Sequence, residues 1–83
     1  MQIKFKLYAG LQEYLPANAV DNAVMLDVEA DTSIDQIAAR FKLPPELLQL
    51  VLVNGVFIPP PARSSHSLAE GDVLAIWPPV AGG

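Results

Sequence analysis

The sequence predicts an α+β domain, a mixed sheet of four to five strands packed on one main helix. Three observations carry this expectation. Segments 3–7, 24–28, 50–53, 56–58 and 73–77 have the apolar patterning of strands. Ile34, Ile37, Ala38 and Phe41 alone repeat at helical spacing. Asn54-Gly55, two residues that tolerate positive φ, divides two of the strand segments as a hairpin turn would. The 83 residues hold one domain, and 52% hydrophobic against 17% charged residues argues for a real core and against disorder.

Each element has its own warrant. Ile3, Phe5 and Leu7 alternate with Lys4, Lys6 and Tyr8, the pattern of a half-buried strand. Ala9-Gly10 breaks it, and residues 11–15 can form one helical turn before Pro16. Val24, Leu26 and Val28 alternate with Met25, Asp27 and Glu29 as a second strand. The connection between these strands is too short for a full crossover helix, so they should pair antiparallel. Thr32 with Asp35, or Ser33 with Gln36, supplies a helix cap, and Pro44-Pro45 must end the helix. Residues 46–49 can form a further turn, with Pro45 at its first position. Pro59-Pro60-Pro61 should leave the sheet as an extended polyproline segment, and 63–67 reads as an exposed polar loop. Gly71 marks the sharp point of a turn in 68–72. On the last strand, Leu74 and Ile76 are expected to face the helix, with Trp77 partly exposed on the other side. One amphipathic helix between two hairpin-like units must cover one sheet face, which is the β-grasp arrangement.

Composition removes many chemistries. With no cysteine there is no disulfide, zinc-thiolate site, iron–sulfur ligation or thiol nucleophile. One histidine, His66, permits no multi-histidine metal site, so no metal is expected. Ser64, Ser65 and Ser67 beside it are neighbours in sequence, which does not make a triad, and an exposed loop histidine is the ordinary reading. Asp27/Glu29 and Asp31/Asp35 fit a solvated strand face and a helix first turn better than an acid–base couple. Neither a glycine-rich dinucleotide loop nor a P-loop occurs. Pro59-Pro60-Pro61 fits rigid loop closure better than a polyproline ligand. A net charge of −4 with scattered basic residues argues against nucleic acid. No apolar run approaches the roughly 18–20 residues of a membrane helix. The alternating start lacks the apolar stretch of a signal peptide, so a cytoplasmic protein without membrane association is expected.

The C-terminal segment is different. Trp77 stands at a strand end, Pro78-Pro79 stiffens the exit, and Val80-Ala81-Gly82-Gly83 shrinks to residues without side chains. Residues 78–83 can reach roughly 20 Å at ~3.3–3.6 Å per residue. Gly82 and Gly83 can thread a narrow channel, because nothing projects from Cα. A terminal carboxylate becomes an acyl donor once adenylated by ATP, and a sulfur nucleophile or an amine can then take the acyl group. The chain thus divides into a folded domain, 1–77, and an extended reactive tail, 78–83.

Tyr8-Ala9-Gly10-Leu11-Gln12-Glu13, Val53-Asn54-Gly55, Leu68-Ala69-Glu70-Gly71-Asp72 and Trp77-Pro78-Pro79-Val80-Ala81-Gly82-Gly83 together resemble the MoaD/ThiS family of ubiquitin-like sulfur carriers. Within it the resemblance is strongest to molybdopterin synthase small subunits, and it covers the whole chain. The resemblance implies a ubiquitin-like β-grasp fold with a flexible Gly-Gly tail. It implies that an E1-like enzyme adenylates Gly83, with ATP as that enzyme's cosubstrate and no cofactor bound by this chain. A sulfur-donating enzyme then supplies the sulfur of a Gly83 thiocarboxylate. Residues Pro78, Pro79, Val80, Ala81 and Gly82 would thread the partner, and Trp77 would contact it. The large synthase subunit would receive the tail for molybdenum-cofactor synthesis, so the chain would be a donor subunit and no enzyme alone. Sulfur delivery to thiamine or another metabolite, conjugation to lysines through Gly83, and a non-catalytic interaction module are the alternative readings.

Overall fold

Ile3, Phe5 and Leu7 are fully buried, whereas Gln2 before them and Lys4 between them are exposed. That alternation makes β1, Gln2–Leu7, a strand with one core side and one open side. The structure is a computed structural model and describes residues 1–79. The expected tail positions Val80, Ala81, Gly82 and Gly83 lie outside these residues, as does most of the expected 78–83 tail.

β2 spans Ala23–Asp27, α1 Ile34–Arg40, β3 Leu50–Val53, β4 Val56–Phe57 and β5 Val73–Trp77. Single 3-10 turns occupy Leu11–Tyr14, Pro45–Leu47 and Pro60–Ala62. The five strands form one sheet in the order β2-β1-β5-β3-β4. β1 pairs antiparallel with β2 and parallel with β5, and β3 pairs antiparallel with both β5 and β4. This is the expected mixed sheet over one helix.

The helix has seven residues. A helix that short is unstable alone and depends on packing and caps. Of the two candidate caps, Ser33 with Gln36 is the one used. Ser33 Oγ accepts the Gln36 N–H at 3.1 Å, and Gln36 Oε1 accepts the Ser33 N–H at 2.8 Å. Ile34, Ile37 and Ala38 are buried against the sheet, and the Phe41 ring stacks on Phe5 at 5.2 Å. Lys42, left-handed at φ 60°, lets the Leu43 N–H return to the Ala38 carbonyl, and Pro44 follows. The helix therefore stops one residue earlier than the apolar stripe, and Phe41 caps its C-terminus.

Asn54 and Gly55 have φ of 51° and 82°, and Val53 pairs with Val56 across them. This is the primed hairpin turn that Asn-Gly favours. Asn54 also does what its turn role does not require. Its Nδ2 donates to Asp72 at 2.9 Å, and its Oδ1 accepts the Val73 N–H at 2.9 Å. Asp72 in turn accepts the Ala69 N–H at 2.8 Å. Two motifs far apart in sequence are thus one hydrogen-bonded junction at the start of β5.

Three expectations are corrected on the far side of that hairpin. Only Pro59 is extended; Pro60–Ala62 closes a 3-10 turn, for which the fixed proline φ is equally suitable. Arg63 is not an exposed loop residue, since only 4% of it is accessible. Its Nε donates to the Ile58 carbonyl at 3.0 Å, and its terminal nitrogens donate to Leu48 and Gln49 at 2.5 and 3.2 Å. The proline turn delivers the guanidinium to three carbonyls that would otherwise lack donors. Burial lowers the Arg63 pKa, and the charge of Asp35 opposes that shift. His66 is half-buried in place of exposed, because its N–H closes onto the Ala62 carbonyl at 2.8 Å.

Two stability outcomes follow. Gly55 has open space where a Cβ would stand, so Gly55→Val meets only the backbone penalty of positive φ. The expected cost is about 1–2 kcal/mol, which should lower the melting temperature by roughly 4–16 °C in a thermal scan. Arg63→Met keeps the bulk but orphans three carbonyls, and urea unfolding should report a loss of about 3 kcal/mol or more. Arg63→Lys should recover only part of it, because an ammonium cannot reproduce the planar fork.

Candidate functional site

The end of β5 is where the chain prepares to leave the fold. The parallel register sets Lys4, Phe5, Lys6 and Leu7 beside Val73, Leu74, Ala75 and Ile76. One step further, the Tyr8 N–H donates to the Ile76 carbonyl at 3.2 Å, which brings Tyr8 beside Trp77. Their rings stack with centroids 4.2 Å apart and planes 1° from parallel. On the other flank Leu50 pairs with Trp77, and the Gln49 N–H donates to the Trp77 carbonyl at 3.2 Å. Trp77 is therefore fixed from both neighbouring strands, and it is half-buried, as its strand parity requires. Leu74 and Ile76 are fully buried on the core side, also as expected. Pro78 is half-buried and Pro79 exposed. The root of the tail is rigid on both sides.

The helix covers one sheet face. Register places Lys4 and Lys6 of β1 with Tyr8 just after it, Val73, Ala75 and Trp77 of β5, Leu50 and Leu52 of β3, and Phe57 of β4 together on the other. Leu50 and Phe57 are 38% and 48% exposed, far more than core residues of those types. Lys6 lays its ammonium 5.5 Å from the Tyr8 ring centroid, within cation–π range. The tail root thus emerges beside a largely apolar, aromatic surface bordered by lysines. Such a surface binds by burial and shape; it holds no side chain suited to bond making. The Tyr8–Trp77 contact was not foreseen from the sequence. It needs the parallel pairing of first and last strands, and the aromatic residue at the end of each was the only signal for it.

The other candidate groups do not converge. Ser65 Oγ donates to the Ala62 carbonyl at 3.5 Å, which also takes the His66 backbone N–H, and among the described residues no hydrogen bond joins a serine hydroxyl to the His66 imidazole. Asp27 and Glu29 are exposed, and Asp27 accepts the Met1 ammonium at 3.4 Å. An open hollow of about 780 Å³ lies at that opposite end of β1, lined by Met1, Asp27, Thr32, Gln36 and Arg40 among others. Its lining carries charges of both signs, and Arg40 donates to the Asp27 carbonyl at 3.4 Å. Among the described residues no three His, Cys, Asp or Glu side chains gather to hold a metal, and no helix is long and apolar enough to cross a membrane.

The sequence model of the ThiS family matches residues 6–83 of the chain. Among solved structures, SAMP1 from Haloferax volcanii shares the fold at a TM-score of 0.68 and 27% identity, with both chains covered in full. A chain from the complex of subunits 1 and 2 of molybdopterin-converting factor from Helicobacter pylori 26695 matches at a TM-score of 0.62 and 16% identity, again over the whole of both chains. A search of curated proteins finds no match. The fold is the ubiquitin-like β-grasp.

The stacked pair is open to a direct measurement. A double-mutant cycle with Tyr8→Ala and Trp77→Ala, read by urea unfolding, should give a coupling of about 0.5–1.5 kcal/mol. Both single variants are expected to fold, since each ring is only half-buried. Additive losses would mean that the rings stabilise the domain independently.

Proposed function

The chain belongs to the ThiS family of ubiquitin-like sulfur carriers, and from that premise we propose that it carries sulfur as a thiocarboxylate on Gly83. The observation that supports this most is the rigid root of the tail. Trp77 is held by β1 and β3 and stacked on Tyr8, and Pro78-Pro79-Val80-Ala81-Gly82-Gly83 follows in a chain with no cysteine. A thioether such as Met25 cannot form a persulfide, so the carboxylate is the group left to hold sulfur.

The steps balance without a cofactor on this chain. An E1-like enzyme joins the Gly83 carboxylate to the α-phosphate of ATP, and pyrophosphate leaves. A sulfur nucleophile delivered by a sulfur-donating enzyme attacks the acyl carbon, and AMP leaves. With hydrosulfide as that nucleophile, one carboxyl oxygen departs with AMP and one sulfur takes its place. ATP is consumed in the partner's site, which fits a cytoplasmic reaction. The fold's contribution is geometric: it anchors Trp77 so that the following residues, Gly82 and Gly83 last, can enter a channel too narrow for side chains.

The acceptor is proposed to be the dithiolene precursor of molybdopterin, with the large synthase subunit as the second partner and this chain as its sulfur-donor subunit. That finer reading rests on the resemblance of the tail and of the 68–72 and 53–55 motifs to molybdopterin synthase small subunits.

The test is intact mass spectrometry after incubation with the purified E1-like enzyme of the same cell, ATP and sulfide. One oxygen of Gly83 should be replaced by sulfur. Deleting Gly83 should abolish the product, Gly82→Val should suppress it, and neither should shift the melting temperature, because the buried residues of the core run no further than Ile76 among the described residues. An unmodified tail with an active enzyme, or sulfur transfer that survives loss of Gly83, would overturn the carrier reading. Adding the large synthase subunit and the pterin precursor then tests the acceptor, by loss of the sulfur and appearance of the dithiolene.

A further inference from the structure

Two motifs take no part in the proposed chemistry, Val53-Asn54-Gly55 and Leu68-Ala69-Glu70-Gly71-Asp72, and they meet in the fold. Asn18 and Asn22 precede alanine, and Asn54 is the one asparagine that precedes glycine. Asparagine before glycine cyclises on itself more readily than other pairs, because the next residue has no Cβ to shield its attacking backbone nitrogen. Asn54 and Gly55 are both exposed to water, and open space lies where a Cβ of Gly55 would stand. The Gly55 N–H makes no hydrogen bond among the described residues, so the nucleophile is free. The amide it would attack is not. Asn54 Nδ2 donates to Asp72 Oδ1 at 2.9 Å, and Asn54 Oδ1 accepts the Val73 N–H at 2.9 Å. The Asn54 backbone N–H adds a bond to the Val73 carbonyl at 2.9 Å. Asp72 is itself fixed, since its other carboxylate oxygen accepts the Ala69 N–H at 2.8 Å. Both ends of the amide are thus held against the start of β5, away from the nitrogen beside them.

We propose that Asn54-Gly55 is a site of self-modification gated by this junction. While Asp72 and Val73 hold the amide it is protected; when the start of β5 opens, it deamidates and the junction no longer closes. The Gly55 nitrogen bonds to Asn54 Cγ, the Cγ–Nδ2 bond breaks, and Nδ2 leaves as ammonia with the proton that Gly55 gives up. Water then opens the resulting succinimide at one of its two carbonyls, which leaves aspartate or isoaspartate at position 54. The step consumes water alone and changes no oxidation state. Either product loses the Nδ2 donor and gains a carboxylate near Asp72, and two carboxylates that close repel. Isoaspartate also adds a carbon to the backbone of a two-residue turn on whose length the Val53–Val56 pairing depends. The reaction therefore removes the clamp that prevents it, and a chain whose β5 has once opened keeps a covalent mark of the event. Local opening of this kind needs no global unfolding.

The experiment keeps the full chain at neutral pH and physiological temperature, follows loss of ammonia by intact mass and locates it by peptide mapping. Asp72→Ala removes the acceptor and should convert at position 54 about tenfold faster than the wild type, the worth of one hydrogen bond to a charged group. Asn18 and Asn22 should stay intact. Arg63→Lys, loosened elsewhere, is compared with Asp72→Ala in urea at equal unfolding free energy and should convert severalfold more slowly. The wild type supplies a second measurement that holds even if Asp72→Ala does not fold. Below the urea transition, its conversion rate should rise in step with hydrogen exchange of the Val73 amide, the group that Asn54 Oδ1 holds. Asn54→Asp, the product itself, should melt several degrees lower and exchange faster at Val73. Equal rates in the wild type and a folded Asp72→Ala, equal rates in Arg63→Lys and Asp72→Ala, or conversion unrelated to Val73 exchange would overturn the gate. An Asn54→Asp variant as stable as the wild type would overturn the release of β5. Sulfur transfer enters none of these readouts, so the carrier reading stands or falls apart from them.

Discussion

The parallel pairing of β1 with β5 is the contact on which everything else rests. It joins the first strand of the chain to the last and occupies the centre of the sheet, with β2 outside one member and β3 and β4 outside the other. Without it the sheet would divide into a two-stranded piece, β2-β1, and a three-stranded piece, β5-β3-β4, with no common core. Its register also decides the open face. Setting Leu7 beside Ile76 brings Tyr8 against Trp77, so the alignment that closes the core also assembles the aromatic platform at the root of the tail.

A central pairing between chain ends must be supported by loops that do not drift, and two polar side chains serve that need. Asn54 ties the β3–β4 turn to the residues leading into β5. Arg63 ties the loop after β4 to the entry of β3, and its own carbonyl accepts the Asp35 N–H in the first turn of α1. The entry of β3 is also where Gln49 holds the Trp77 carbonyl. The guanidinium therefore steadies the strand that steadies the tail root, and it lies 6.0 Å from the ring centroid of Phe57. A chain of this size buries a smaller share of its surface than a large domain does, so a few such fixed points matter more to it.

Legibility in the sequence followed the range of the interactions. The five strands, the helix with Ser33–Gln36 as one of two candidate boxes and the Asn54-Gly55 turn were readable because neighbours within four residues determine them. The faces of β5 were readable from parity alone. Arg63 was not, since a lone basic residue among serines looks solvated until the proline turn aims it at three carbonyls supplied from elsewhere. The curl of Pro60–Ala62 was misread for the same reason: proline φ suits both an extended and a 3-10 backbone, and only tertiary demand chooses. At the candidate site, Trp77 was legible as a strand-end aromatic, while its partner Tyr8 required the topology. The carboxylate chemistry proposed for Gly83 comes from the tail motif and the resemblance, and Gly83 lies outside the described residues.

The placement of the terminal strands has a mechanical meaning. β1 starts at one end of the sheet and β5 finishes at the other, with the two running side by side in the same direction. A pull that draws the tail away from the start of β1 loads that pair lengthwise, so its rungs share the force together and do not open one at a time as in a zipper. Because Trp77 is also tied to β3, traction on the tail is spread across three adjacent strands. A protein that handles this chain by its tail can therefore draw hard on the last residues without unravelling the domain behind them.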